Sequence, residues 1–138
     1  MSDIVVTVPR DRWEDWIAEG DAVGAPASGD EWGFFLYACE RPPIDRGERL
    51  YIVAHGRVRG YAPVTRVQWS AAERAWVICR RGGAVAVTIL TPAQGFRGWR
   101  RKWWTHAHEV PFSAWRTEDV PPRMAARIAD QPRRGLFP

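Results

Sequence analysis

The stretch GERLYIVAHGRVRGYAPVTRV, residues 47–67, gives the clearest indication of the architecture because two strand patterns follow one another in it. Residues 49–56 are apolar at almost every position, which is typical of a strand that is buried on both faces. Residues 57–69 alternate between apolar and polar side chains, and a His-Gly pair at the junction favours a tight hairpin turn. Pro63 lacks a backbone N–H, so we expect a sheet edge or a β-bulge around it.

The alternating strand presents two different faces. One face has Val58, Gly60, Ala62 and Val64, and the other has Arg57, Arg59, Tyr61 and Thr65. Arginines beside an aromatic ring can follow a phosphate backbone, which makes the second face a candidate nucleic-acid contact. An ordinary solvent-exposed hairpin surface has the same pattern, so the alternation alone leaves both interpretations open.

Further strand patterns lie on both sides of this hairpin. They are the runs at 4–8, 32–40, 74–80 and 84–90. Gly82 and Gly83 separate the last two runs and favour a second hairpin there. We also expect Trp69 and Trp76, which flank a short turn, to pair across neighbouring strands. Residues 3–90 are therefore expected to contain five or six strands.

A helical pattern follows the first of these runs. Pro9, several acidic side chains in the first turn and Gly20 at the end predict a helix near the start of the chain. Trp13 and Trp16 would lie on the face of this helix that packs against the core.

The stretch GFRGWRRKWW, residues 95–104, combines four aromatic rings with four positive charges. Phe96, Trp99 and Trp103 have the i, i+3, i+7 spacing of one helix face, so we expect a helix that these rings anchor on the core. Trp104 lies off that face and is our candidate for stacking on a base. The positions expected to face solvent and to contact phosphates are Arg97, Arg100, Arg101 and Lys102.

The charges are unevenly distributed along the chain. Residues 1–48 have 11 acidic and 4 basic side chains, whereas residues 49–116 have 12 basic and 2 acidic ones. The imbalance indicates an acidic face and a basic face, and a basic face attracts polyanions such as nucleic acid. Nine tryptophans point the same way, because a core of this size rarely needs so many rings that must each satisfy an N–H.

Composition excludes several classes of protein. Hydrophobic residues make up 46% of the chain, which argues against disorder, and the longest apolar run is too short to span a bilayer. The N-terminus lacks a signal-peptide pattern, so we expect a cytoplasmic protein without a membrane partner. Cys39 and Cys79 are too few for a disulfide framework or a four-cysteine zinc site, and we expect no metal and no cofactor.

The central hairpin resembles that of the PUA-like superfamily, and it is closest to the EVE and ASCH domains. The matching residues are Gly47-Glu48-Arg49-Leu50-Tyr51-Ile52-Val53 and Val58-Arg59-Gly60-Tyr61-Ala62-Pro63-Val64. The resemblance covers roughly residues 3–112 and implies an α+β, strand-dominated fold, a small curved β-barrel with one or two flanking helices. We accordingly expect a domain over residues 1–116, followed by a C-terminal tail or short appended helix over 117–138.

The resemblance also implies a function. Members of the EVE, YTH and SRA branches use aromatic side chains to hold a modified base that has been flipped out of nucleic acid. Trp32 best occupies the place of the pocket tryptophan that precedes the central hairpin in EVE-type chains. Together with Tyr61, Trp104 and His55 at the hairpin turn, it forms our candidate ligand-binding set. The partner would be DNA or RNA.

Two other functions stay open. The ASCH branch includes hydrolases of acetylated cytidine with a Lys and a Glu near the pocket, so an ASCH-like hydrolase or nuclease is an alternative. The chain departs from that pattern, because its single lysine, Lys102, lies in the basic stretch. A protein-interaction module would use exposed rings as a flat patch. His106 and His108 have a spacing that permits a metal site with His55, but no further ligand supports one.

Overall fold

The computed structural model describes residues 2–9, 12 and 31–112. These residues form eight strands and one short 3-10 helix. The strands are β1 (Ile4–Thr7), β2 (Trp32–Tyr37), β3 (Arg49–Ala54), β4 (Arg57–Ser70), β5 (Ala75–Arg80), β6 (Val87–Thr88), β7 (Trp99–Arg101) and β8 (Val110–Pro111), and the 3-10 helix spans His106–His108.

Six of the strands form one sheet in the order β2-β5-β4-β3-β1-β7, while β6 and β8 pair in a second, two-stranded sheet. β1 and β3 are parallel, and the other pairs are antiparallel. The long strand β4 pairs with β3 along its first half and with β5 along its second half. A register shift between Val64 and Arg66 separates the halves, so the irregularity expected around Pro63 is confirmed.

Two of the strand pairings expected from the sequence are present as hairpins. β3 and β4 are joined by His55 and Gly56, which have φ values of +51° and +75°. Two successive positive φ values are what a twisted two-residue hairpin turn requires. β4 and β5 form the next hairpin, in which Trp69 and Trp76 pair directly and their rings meet edge to face at 5.4 Å.

The hairpin expected at Gly82 and Gly83 is wrong. β5 ends at Arg80, and both glycines have positive φ values that turn the chain away from the sheet. Val85 then forms an isolated bridge with Tyr61, and β6 pairs with β8. The segment after β5 therefore starts a second layer and does not add a neighbouring strand.

The core has two parts because β1 and β3 are buried on both faces, as their apolar patterns predicted. Alternate residues of the two strands, such as Val6 and Ile52, join a large cluster with side chains of β2, β4 and β5. Val5 and Tyr51 point to the opposite face and pack against residues that follow β5. The segments around Ile89, Ala93 and Trp104 thus cover the second face of the sheet.

The expected barrel and the helices that flank it are wrong. The sheet is not closed, since β2 and β7 lie at opposite ends of the strand order. The described residues contain no α-helix, and none of their helices is long and apolar enough to cross a membrane. Most of the predicted helix at 9–20, and all of residues 117–138, lie outside the described residues.

The helix predicted over the basic stretch is also wrong, since part of it forms β7. Trp99 pairs with Val6 and Arg100 with Val5, so backbone hydrogen bonds to β1 replace those of a helix. Residues 106–112 form the 3-10 helix and the two-residue β8.

Candidate functional site

A cleft of about 940 Å³ lies where the two edges of the curved sheet approach each other. Its described walls come from the end of β1, from the edge strand β2 and its following loop, and from the turn into the other edge strand, β7. Five aromatic side chains contribute to these walls: Phe34, Phe35, Tyr37, Phe96 and Trp99. The volume lies within the range of about 300–1,000 Å³ that is usual for small-molecule sites.

The charged side chains among the described lining residues of the cleft are all positive. Arg12, Arg80 and Arg97 line it, and the described part of the lining contains no carboxylate. Arg12 and Arg97 are exposed, whereas Arg80 is buried in the wall. Arg100 places its guanidinium 4.4 Å from the centre of the Phe96 ring and adds a further cation beside the cleft. Such a group of cations with aromatic rings favours a ligand that carries negative charge and flat rings.

β2 supplies most of the aromatic wall, and its alternation explains why. Leu36 is buried in the large core cluster and Phe34 packs against that cluster, whereas Phe35 and Tyr37 point to the opposite face. The rings of Phe35 and Tyr37 are 40% and 58% exposed. Gly33 allows a close approach to β5, because a Cβ there would lie 2.6 Å from a methyl group of Val77.

The opposite wall is held by the end of β1. The Thr7 hydroxyl accepts a hydrogen bond of 3.0 Å from the backbone N–H of Phe96. Gly98 has a φ of +72°, which turns the chain into β7 immediately after Arg97. Arg97 therefore lies in a short turn that is fixed on both sides.

Glu31 anchors the beginning of β2. Its carboxylate accepts hydrogen bonds of 2.7 and 3.0 Å from Arg66 and of 2.9 Å from the Thr65 hydroxyl, both on β4. These interactions, with the Arg66 hydrogen bonds the largest, lower the pKa of Glu31. Arg66 therefore holds the beginning of β2 in position through its hydrogen bonds to Glu31.

Arg57 and Arg59, expected at the solvent face of the hairpin, are buried. Arg57 donates to the Ile89 carbonyl oxygen at 3.1 Å, and burial lowers its pKa. Arg59 donates from Nε to the Ala54 carbonyl oxygen at 2.7 Å and is 1% exposed. Ile89 and Phe112, which follow β5 in the chain, lie against these two guanidinium groups, so neither group is presented at the surface.

Trp104 and Lys102 are also placed differently from our expectation. Trp104 is 8% exposed, and its Nε1 donates to Glu109 at 2.9 Å. The same carboxylate accepts hydrogen bonds from the Tyr51 hydroxyl at 2.6 Å and from Lys102 Nζ at 3.3 Å, while Arg49 lies 3.5 Å away. Burial, and then the hydrogen bond to Glu109, raise the pKa of Tyr51. We call these five residues the Glu109 cluster.

The predicted ligand-binding set is dispersed. Tyr61 lies against Tyr51 at 5.1 Å and under the Arg49 guanidinium at 4.2 Å, next to the Glu109 cluster. His55 lies in the β3–β4 turn, and Trp32 begins β2 without being among the described residues of the cleft lining. Tyr61 and Trp104 lie near each other because each of them contacts Tyr51, whereas Trp32 and His55 lie in other parts of the structure.

The basic residues of the stretch at 95–104 lie in three different environments. Arg97 and Arg100 lie beside the cleft, whereas Arg101 donates to the Ser2 hydroxyl at 2.9 Å. Lys102 belongs to the Glu109 cluster. Of the site residues expected from the sequence, Arg97 and Arg100 are therefore the two that lie at the cleft, and most of its aromatic wall was not anticipated.

A metal centre at the histidines finds no support in the described residues, where no three His, Cys, Asp or Glu side chains converge. His106 and His108 are exposed on the 3-10 helix, and His106 Nε2 lies 3.5 Å from Asp3.

Fold and site define an open β-sheet protein with an arginine-bearing aromatic cleft between its two edges. Comparison with known proteins found no match, either to a family model, to a curated protein or to a solved structure.

Proposed function

We propose that the protein is a nucleic-acid-binding module whose cleft holds an unpaired base, with modified bases among the candidate ligands. The single observation that carries this proposal is the composition of the cleft: five aromatic side chains and three arginines, with no carboxylate among the described lining residues. The relation to the PUA-like superfamily stays a prediction, and the proposal does not depend on it.

The two kinds of side chain suit the two chemical parts of a nucleotide. A base removed from its stack can be held by ring faces, and stacking contributes about 1–3 kcal/mol per base. The phosphate groups on either side of that base need cations, which Arg12, Arg97 and Arg100 supply at the surface. Arg80 adds a buried positive charge to the wall itself.

A charge-reversal variant tests the proposal. We expect Arg97→Glu combined with Arg100→Glu to weaken binding of a fluorescein-labelled single-stranded oligonucleotide by roughly tenfold or more. Because two phosphate contacts are lost, the slope of log K against log salt should become shallower by about 1.4 for a single strand. Fluorescence anisotropy over a salt series measures both quantities.

A matched variant controls for net charge. Arg46→Glu combined with Arg74→Glu changes the charge by the same amount at two exposed turns outside the described lining of the cleft. We expect this control to reduce affinity much less than the cleft variant. Equal losses in both variants, or binding by the unmodified protein that does not respond to salt, would contradict the proposal.

A further inference from the structure

Phe35 and Tyr37 form an exposed aromatic platform on the outer side of the edge strand β2. Their ring centroids are 6.4 Å apart, and the ring planes differ by 20°. Both residues also belong to the lining of the cleft, so the platform is continuous with it. Large apolar side chains exposed next to one another usually mark a binding surface.

From this platform we infer that the ligand is a single-stranded nucleic acid, of which one base enters the cleft and a neighbouring base stacks on Phe35 or Tyr37. This inference rests on the proposed function and specifies its substrate class. It extends the binding site from one nucleotide to at least two, and it assigns to β2 a role that its sequence pattern did not indicate.

The geometry of the platform favours unpaired bases over a duplex. In a double helix the faces of the bases are covered by their stacked neighbours, so an exposed ring on a protein cannot reach them. Duplex recognition generally inserts a helix or a two-stranded ribbon into a groove. The described part of this site offers ring faces along one strand, which is the arrangement that single-stranded binding proteins use.

The positions of the exposed cations also favour a single-stranded nucleic acid as the ligand. The exposed cations Arg97 and Arg100 lie on the β7 side of the cleft, whereas the exposed rings lie on the β2 side. A strand that crosses the site would therefore place its phosphates towards β7 and its bases towards β2. Because the rings and the cations lie on different walls of the cleft, substitutions can test stacking and charge contacts separately.

The experiment uses labelled oligonucleotides of about 12 nucleotides, a length near the site size of one small domain. One mixed sequence is tested as single-stranded RNA, as single-stranded DNA and as the corresponding DNA duplex, each against the full chain. We expect both single strands to bind more tightly than the duplex. The comparison between the RNA and DNA arms shows whether the 2′-hydroxyl contributes.

Ring variants test the platform directly. At least one of Phe35→Ala and Tyr37→Ala should weaken single-strand binding by roughly fivefold or more, the effect of losing about 1 kcal/mol of stacking. The salt dependence should stay unchanged, because no charge is removed. Phe35→Tyr and Tyr37→Phe keep a ring and should bind like the unmodified protein. Trp69→Ala removes an equally exposed ring outside the described lining and should have no effect on binding.

The outcomes separate this inference from the proposal on which it rests. If no oligonucleotide binds, both are overturned. If binding depends on salt and on Arg97 and Arg100, but the duplex binds as tightly as the single strands, the platform inference is overturned and the proposed function stands. Unchanged affinity of both alanine variants would also overturn it.

Discussion

Glu109 shows at the scale of one residue how a buried carboxylate can hold a layer of the protein in place. It accepts hydrogen bonds from Tyr51 on β3 and from Trp104 and Lys102 in the second layer. A buried charge is stable only when it is paired and fully hydrogen-bonded, and this one meets both conditions. Lys102 and Trp104 are thereby directed inward, which explains why neither is at the surface where its sequence position suggested it would be.

The cluster makes a specific prediction for Glu109→Gln. The substitution keeps the shape, replaces one acceptor oxygen with a donor and removes the nearer of two carboxylates beside Lys102. We expect the free energy of unfolding to fall by about 2–4 kcal/mol, measured by urea denaturation. Glu73→Gln, in the exposed β4–β5 turn, is the control and should change stability by no more than about 0.5 kcal/mol. Equal denaturation midpoints would show that the cluster does not stabilise the fold.

At the scale of elements, β4 joins the two halves of the sheet and also contacts the second layer through Val85. Gly60 makes that contact possible, because Val85 pairs with the neighbouring Tyr61 through both backbone groups and places its carbonyl oxygen next to Gly60. A Cβ at position 60 would lie 2.5 Å from the Val85 carbonyl oxygen. The absence of a side chain at position 60 therefore allows two backbone segments to approach each other closely.

A pair of glycine variants tests this contact. Gly60 and Gly47 both have positive φ values, +151° and +87°, so alanine is strained at either position. A Cβ at position 47 would meet no atom within 4 Å, whereas one at position 60 would meet the Val85 backbone. We expect Gly60→Ala to be less stable than Gly47→Ala by about 1–3 kcal/mol in urea denaturation, the usual cost of overpacking. Similar stabilities would mean that the second layer can shift without cost.

At the scale of the whole molecule, the site exists because the sheet curves without closing. A closed barrel would pair β2 with β7 and leave no cleft, whereas a flat sheet would hold these strands far apart. Curvature brings the aromatic wall of β2 and the arginines next to β7 to the same opening. The cleft is consequently a property of the complete sheet, not of one motif.

The reactivity of the two cysteines measures how accessible the cleft is to solvent. Cys39 is part of the cleft lining and is half-buried, whereas Cys79 is buried on β5. Burial raises the pKa of both thiols, so neither is an activated thiolate, and the greater exposure of Cys39 should make it react first. We expect iodoacetamide to modify Cys39 much faster than Cys79 in the native protein, and both at similar rates in urea, as measured by mass spectrometry.

Single-cysteine variants control this measurement. Cys39→Ser should remove the fast phase, and Cys79→Ser should leave it unchanged. A bound oligonucleotide should slow the modification of Cys39 if it occupies the cleft. Modification of Cys39 that is no faster than that of Cys79 in the native protein would contradict solvent access to the cleft and its use as a binding site.

Local chemistry made part of the fold predictable. The β3–β4 hairpin, the β4–β5 hairpin with its Trp69–Trp76 pair and the irregularity near Pro63 all follow from residues close to each other in the chain. The helix expected at 95–104 failed because its i, i+3, i+7 spacing of rings coincided with a strand that pairs with β1. Pairing with a partner almost 100 residues away outweighed that local periodicity.

The central strands, their turns and the concentration of positive charge in the second half of the chain could be read from residue order, because they depend on side-chain pattern and backbone preference over a few residues. The burial of Arg57, Arg59 and Trp104, and the position of Arg97 beside the rings of β2, arose only when distant segments came together. Burial depends on which remote segment covers a face, and no local pattern in residues 57–61 indicates that residues 85–112 pack over them.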